Sequence, residues 1–170
     1  MYWTEDMSIG VPMIDNGHRD LINRLYGLRA AIKKKVCRYT IEDTLVFLEE
    51  YTEVNFCEEE HYMKHYGYSD YALHIEKHED FIMELHFLKE ELRNIRALGL
   101  KGSYELSVET VRVVVDWLRD HVMIYDKELG NFLKQQSNMN HDVISCLCGG
   151  KEHIIISGKE IVNPYGNSSS

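Results

Sequence analysis

Residues 74–95 read HIEKHEDFIMELHFLKEELRNI. Within this stretch His74, His78, Phe81, Leu85, Leu88, Leu92 and Ile95 recur in steps of four and three. That is the spacing of one helix face, and most of the other positions are charged. A helix with such a stripe needs neighbours to cover it. The first two inward positions are imidazoles instead of hydrocarbon, and four-residue spacing puts both on the same side.

Three more segments of the same kind flank this one. Before it, Thr40 and Asp43 resemble a capping box and open a stripe of Ile41, Leu45, Leu48, Thr52, Asn55 or Phe56, Glu59 and Met63, closed by Gly67. Earlier still, Asp15 is a plausible N-cap for the stripe Leu21, Ile22, Leu25, Leu28 and Ile32, which ends in Lys33-Lys34-Lys35. After it, Gly99 and Gly102 frame a turn, and Ser103 precedes Val111, Val114, Leu118, His121, Tyr125 and Leu129. Short connections make consecutive helices antiparallel neighbours. The expected fold is all-α, an up-down-up-down four-helix bundle with an N-terminal arm. The bundle is expected over residues 1–134. Residues 135–170 form a short C-terminal extension, with a small β-hairpin from His153-Ile154-Ile155-Ile156 and Lys159-Glu160-Ile161-Val162.

Composition agrees with a helical body. The chain has 170 residues and two prolines, Pro12 and Pro164, leaving the whole bundle region between them free of helix breakers. Its 28 acidic and 19 basic side chains give a net charge of −9, which disfavours nucleic acid or an anionic membrane as a partner. No apolar run approaches a membrane span, and the first residues lack a signal-peptide layout. A cytoplasmic protein with reduced cysteines is expected.

Polar groups interrupt all four stripes. His18 opens the first. Asn55 and Glu59 share a side of the second, His74 and His78 a side of the third, and His121 lies on the fourth with Asp126 five residues on. Burying so many polar groups is costly unless something pairs them, and a metal pairs them all. Imidazole with carboxylate suits iron, zinc or manganese. Six donors are too many for a four-coordinate zinc site and fit two adjacent cations with room for an outside ligand. One spacing conflicts with a regular helix. Residues five apart diverge by about 140°, so His121 and Asp126 serve different parts of the site or the helix deforms between them.

These motifs together resemble the bacterial hemerythrins. Trp3, Ser8-Ile9-Gly10-Val11 and Ile14-Asp15 with His18 look like that family's arm and first ligand. Tyr51-Thr52, Phe56 and Glu58-Glu59 resemble its second helix. Tyr68, His74, His78 and Phe81 resemble its third, and Trp117-Leu118, His121 and Asp126-Lys127 its fourth. The resemblance covers about residues 3 to 134. It implies that His74, His78 and His121 bind one iron, that His18 binds a second, and that Glu59 and Asp126 bridge them. It implies reversible O2 binding, with no catalytic residue. One departure stands out: where the family has a second-helix histidine four residues before the glutamate, this chain has Asn55. That departure implies a more open and weaker iron position near His18, with two irons bound or only one.

The leading expectation is therefore an O2 carrier, store or sensor. The alternatives are an iron-dependent enzyme that reduces peroxide, NO or O2, and an iron-handling bundle. The ligand is O2 or another small diatomic or peroxide. Tyr125 reads as a core aromatic or as a hydrogen-bond or electron donor beside the ligand. Cys37 and Cys57 read as buried free thiols. Cys146 and Cys148, with His141 and His153, form a cluster that suits zinc or a redox pair. His61, His65 and His86 read as surface or supporting residues. Of Glu58-Glu59-Glu60, only Glu59 is expected to turn inward.

Overall fold

A computed structural model describes residues 2–34, 37–100, 104–136, 143–148, 151–156 and 159–162, with side-chain surroundings for 2–34, 41–100 and 104–136. Helix α1 spans Pro12–Lys34 and α2 Cys37–Tyr51. A π turn over Thr52–Phe56 joins α2 to α3, Cys57–Tyr66. Helix α4 spans Tyr71–Ala97 and α5 Tyr104–Asp120. A second π turn, His121–Asp126, joins α5 to α6, Lys127–Leu133. The chain thus makes four rods: α1, α2–α3, α4 and α5–α6. Helix α1 packs on α2 and α5, while α4 packs on α2, α3 and α5. This closed ring is the up-down-up-down bundle.

The rods start and stop where local chemistry dictates. Pro12 opens α1 at the position where a missing N–H costs nothing. Gly67 closes α3 in the left-handed conformation at φ 69°, and the next amide, Tyr68 N, donates to Met63 O at 2.9 Å. Gly99 ends α4 in the same way, with Leu100 N donating to Ile95 O.

Two of the expected starts are corrected. Asp15 is not an N-cap; it lies inside α1. Its buried carboxylate accepts from Ile9 N at 2.8 Å, Gly10 N at 3.3 Å and the Ser8 hydroxyl at 2.6 Å. It holds the N-terminal arm instead of the helix end. Lys127 donates to Ser8 O at 2.8 Å and ties the arm to the last rod. Helix α2 already includes Thr40, so the proposed capping box is not its start.

The apolar interior falls into two clusters. The larger contains Leu21, Leu25, Leu48, Phe56, Phe81, Leu88, Leu118 and Val122. The smaller joins the arm residues Ile9 and Val11 to Ile14, Tyr62, Met63, Tyr68 and Leu129. On three of the rods the chain visibly passes from one cluster to the other through a buried polar position. His18 lies between Ile14 and Leu21, Glu59 between Phe56 and Tyr62, and Asp126 between Val122 and Leu129. A polar layer is therefore sealed at both ends by hydrocarbon.

Beyond the bundle, Val143–Cys148, Lys151–Ile156 and Lys159–Val162 form strands β1, β2 and β3 of an antiparallel sheet in that order. Strand β1 touches α3 and β3 touches α1. The side chains of Cys37, Cys146, Cys148 and His153, and all of His141, lie outside the described residues. Cys57 is not the buried free thiol expected. It is half-buried and disulfide-bonded. Among the described residues, no helix is long and apolar enough to cross a membrane.

Candidate metal centre

The structure brings His18, Glu59, His74, His78, His121 and Asp126 together, each about 1% exposed or less. All four imidazoles present Nε2 to the carboxylates. His78 Nε2 lies 2.9 Å from Glu59 Oε2, and His74 Nε2 lies 3.4 Å from the same oxygen. Asp126 faces two ways. Its Oδ1 is 3.2 Å from His74 Nε2 and 3.1 Å from His121 Nε2, while Oδ2 is 3.1 Å from His18 Nε2. His18 Nε2 is also 3.8 Å from Glu59 Oε1. Donor atoms of Glu59, His74, His78 and His121 form one group within 4.8 Å of one another. Those of His18, Glu59 and Asp126 form a second, sharing Glu59.

The π turns make this convergence possible. A turn closed by i→i+5 bonds brings residues five apart onto nearly the same side. The turn over His121–Asp126 therefore aims both of its end residues inward, resolving the conflict that a regular helix would pose. The turn over Thr52–Phe56 does related work on the second rod. Asn55 and Phe56 are both buried in it.

Aromatic rings fix the imidazole planes. Phe56 stacks on His78 with centroids 3.8 Å apart and planes 2° from parallel. Trp117 stacks on His121 at 4.5 Å and on Phe81 at 4.2 Å. His78 Nδ1 lies 3.6 Å from Glu60 Oε1, a carboxylate behind the ring.

Apart from the contacts of His78 Nε2 with Glu59 Oε2 and His121 Nε2, the atoms face one another without satisfying one another. His18 Nδ1 and Nε2, His74 Nδ1 and Nε2, Glu59 Oε1 and both Asp126 oxygens are buried with no hydrogen bond of acceptable geometry. Each such atom costs about 1–3 kcal/mol, so the set outweighs much of a domain's net stability of about 5–15 kcal/mol. Lone pairs that converge on a shared centre, and not on each other, are what a cation needs. Histidine and carboxylate donors in this number fit two divalent transition-metal ions.

Without a metal, protons take that role. Burial works against charge on His121, but the Asp126 and Glu59 carboxylates override it and raise its pKa to about 9. The same carboxylates raise His74. Burial would push Asp126 up, yet His121, His18 and His74 hold it well below the usual range. Glu59 is lowered too, against burial and Asp126, by contacts from His121, His74 and His78.

Several neighbours depart from the sequence pattern. Glu58 is buried at 1% exposure, and Glu60 is half-buried, so the acidic run is not a solvated face. Asn55, 6% exposed, has an Nδ2 with no hydrogen-bond partner. Its carboxamide fills the space beside Gly17 so fully that Nδ2 would lie 1.7 Å from a Cβ added there. The nearby Tyr51 hydroxyl also makes no hydrogen bond of good geometry, and burial, with Glu59 next, pushes its pKa well above the usual 10. Tyr125 is half-buried, its ring 5.7 Å from His121 and 6.2 Å from His74. With Trp117 and His121 it lines a cleft of about 560 Å³ open to the surface between α4 and α5. His61 and His65 stack loosely at 6.5 Å on α3, apart from the two donor groups.

The fold and donor set agree with similarities to known proteins. Residues 10–133 match the family model described as the hemerythrin HHE cation binding domain. A bacteriohemerythrin of Clostridium acetobutylicum is 33% identical over 132 residues, covering 74% of this chain and 95% of that protein. A bacteriohemerythrin of Stenotrophomonas maltophilia is 28% identical over 138 residues, covering 81% and 84%. A myohemerythrin of Theromyzon tessulatum is 24% identical over 120 residues, covering 71% and 82%. With more than half its length matched and its buried histidine–carboxylate layer in place, the chain belongs to the hemerythrin HHE cation binding domain family.

Proposed function

We propose that the chain is a non-haem iron protein that binds O2 reversibly, as a carrier, store or sensor. The observation that carries this reading is the pair of buried donor groups joined at Glu59. His74, His78 and His121 would hold one iron and His18 the other, with the Glu59 and Asp126 carboxylates available to both. Bound there, the iron pair would supply reversible electron exchange with O2. The chain does the rest. Phe56 and Trp117 hold the planes of His78 and His121. The Glu60 carboxylate stands 3.6 Å behind His78 Nδ1, on the side of the ring away from Glu59. The two apolar clusters keep bulk water from both ends of the layer. The cleft at Trp117, His121 and Tyr125 offers a small ligand an approach.

The reading assigns no catalytic residue. It takes the partner as O2 or a similar small molecule, without nucleic acid or membrane, in the cytoplasm. It takes residues 1–134 as the binding bundle and 135–170 as an extension. The test is iron content per chain after anaerobic loading, with absorption spectra before air, in air and after its removal. Two irons per chain and a visible band that comes and goes with O2 are expected. Absence of bound iron, or a band that never reverses, overturns the reading.

Tyr125 favours a second reading, an enzyme that reduces peroxide. Its ring lines the cleft beside His121 and lies 6.2 Å from His74, close enough to pass an electron inward. Peroxide consumption with an added reductant, lost in Tyr125→Phe, would support that reading. Equal consumption by both proteins would sink it.

A further inference from the structure

The two donor groups differ in kind. One offers three imidazole nitrogens and the Glu59 carboxylate. The other offers one imidazole, from His18, and the carboxylates of Glu59 and Asp126. Beside the second group the chain places Asn55, one turn before Glu59 and wedged against Gly17, the neighbour of His18. This carboxamide is 6% exposed and lies against the Tyr51 hydroxyl, but its Nδ2 makes no hydrogen bond of good geometry. One of its polar atoms is therefore buried and unsatisfied. It brings no imidazole nitrogen to the position.

Nitrogen-rich sites suit iron, zinc and copper, whereas carboxylate, carbonyl and water suit manganese and magnesium. Both groups draw on Glu59, so the ion that arrives second meets a carboxylate already engaged. We propose that the two metal positions are chemically unequal. The His74–His78–His121 position fills first and tightly with a ferrous ion. The His18–Asp126 position fills second and accepts manganese(II), so that a mixed iron–manganese centre forms when iron is scarce. This inference rests on the metal-binding reading but goes beyond it.

The experiment is an anaerobic calorimetric titration of the metal-free full chain with Fe(II), with Mn(II), and with Mn(II) after one equivalent of Fe(II). Metal retained after gel filtration and the manganese EPR signal are read on the same samples. Fe(II) should bind in two steps separated by at least about tenfold in affinity, the scale on which a changed ligand environment acts. Mn(II) should fill the one position left after the first Fe(II). His18→Ala should abolish the weak step and the protein-bound Mn(II) signal while sparing the tight step. His78→Ala should do the reverse. Asn55→His should bring the two Fe(II) steps together, with its circular dichroism confirming that the fold tolerates a ring against Gly17.

Two indistinguishable Fe(II) steps in the unmodified chain would overturn the proposal and leave the O2-binding reading standing. Failure of Mn(II) to bind after the first Fe(II) would overturn it as well. A chain that binds neither metal would defeat both.

Discussion

At the scale of single residues, Asp126 and Glu59 differ from the histidines in what they touch. Each carboxylate approaches imidazoles of both donor groups, whereas His78 belongs to only one. Asp126→Asn or Glu59→Gln should therefore lower occupancy at both positions, and His78→Ala at one, as read by metal per chain. Gly130 has a different task. A Cβ there would lie 2.7 Å from the Ile9 carbonyl oxygen, which is backbone and cannot swing aside. Gly130→Ala should cost about 1–3 kcal/mol, visible as a lower melting temperature. The convergence of His18, Glu59, His74, His78, His121 and Asp126 was legible in the sequence because a polar side chain on an apolar stripe is an anomaly. Glu58 was not, since three consecutive glutamates give no clue to which of them faces inward. Asp15 misled for a related reason: an aspartate near a helix start is read as a cap, but its partners lie in the preceding arm, where no local pattern points. The Cys57 disulfide was equally hidden, because cysteine pairing depends on the tertiary fold.

At the scale of elements, the two π turns carry the geometry. Each inserts one extra residue into a rod and rotates its downstream half relative to its upstream half. The spacing of five between His121 and Asp126 signals such a deformation in the sequence itself. The spacing of four between Asn55 and Glu59 does not. Even so, the second stripe contains a quieter sign: it can be continued through Asn55 or through Phe56, and the structure buries both. Removing Val54 takes out the residue that the turn absorbs, so the turn should return to α-helix with the two halves of the rod still in phase. Leu45 and Leu48 would then keep their register with Glu59 and Met63. The shortened chain should keep its helical circular dichroism and its bound metal. Loss of the metal after that deletion would show that the wide turn itself, and not only the phase of the rod, places Glu59.

At the scale of the whole molecule, the polar layer makes stability depend on what fills it. In the metal-free protein, the pKa of His121 stands at about 9 against an ordinary 6.5. Its contribution is complete below about pH 6.5 and is lost as pH rises through about 9. Glu59 and Asp126 are lowered, so their contributions hold above their ordinary values of 4.5 and 3.8 and vanish as pH falls toward the depressed ones. Metal-free protein should therefore be most stable near pH 5–6.5 and weaken toward pH 9. Metal competes with the same protons and gains as pH rises. The gap in melting temperature between loaded and metal-free protein should widen from pH 6 to pH 9. A constant gap would mean that the imidazoles are not the groups the metal displaces protons from.

The clasp between Ser8 and Lys127 joins positions 119 residues apart. The first and last rods already meet at nearly that separation, since His18 faces Asp126. The arm therefore adds a cover over a pairing that the rods themselves make, at little further loop-closure cost. Removing residues 1–10 should hasten metal uptake by the folded protein, measured by stopped flow, and unchanged uptake would remove the arm from the entry route.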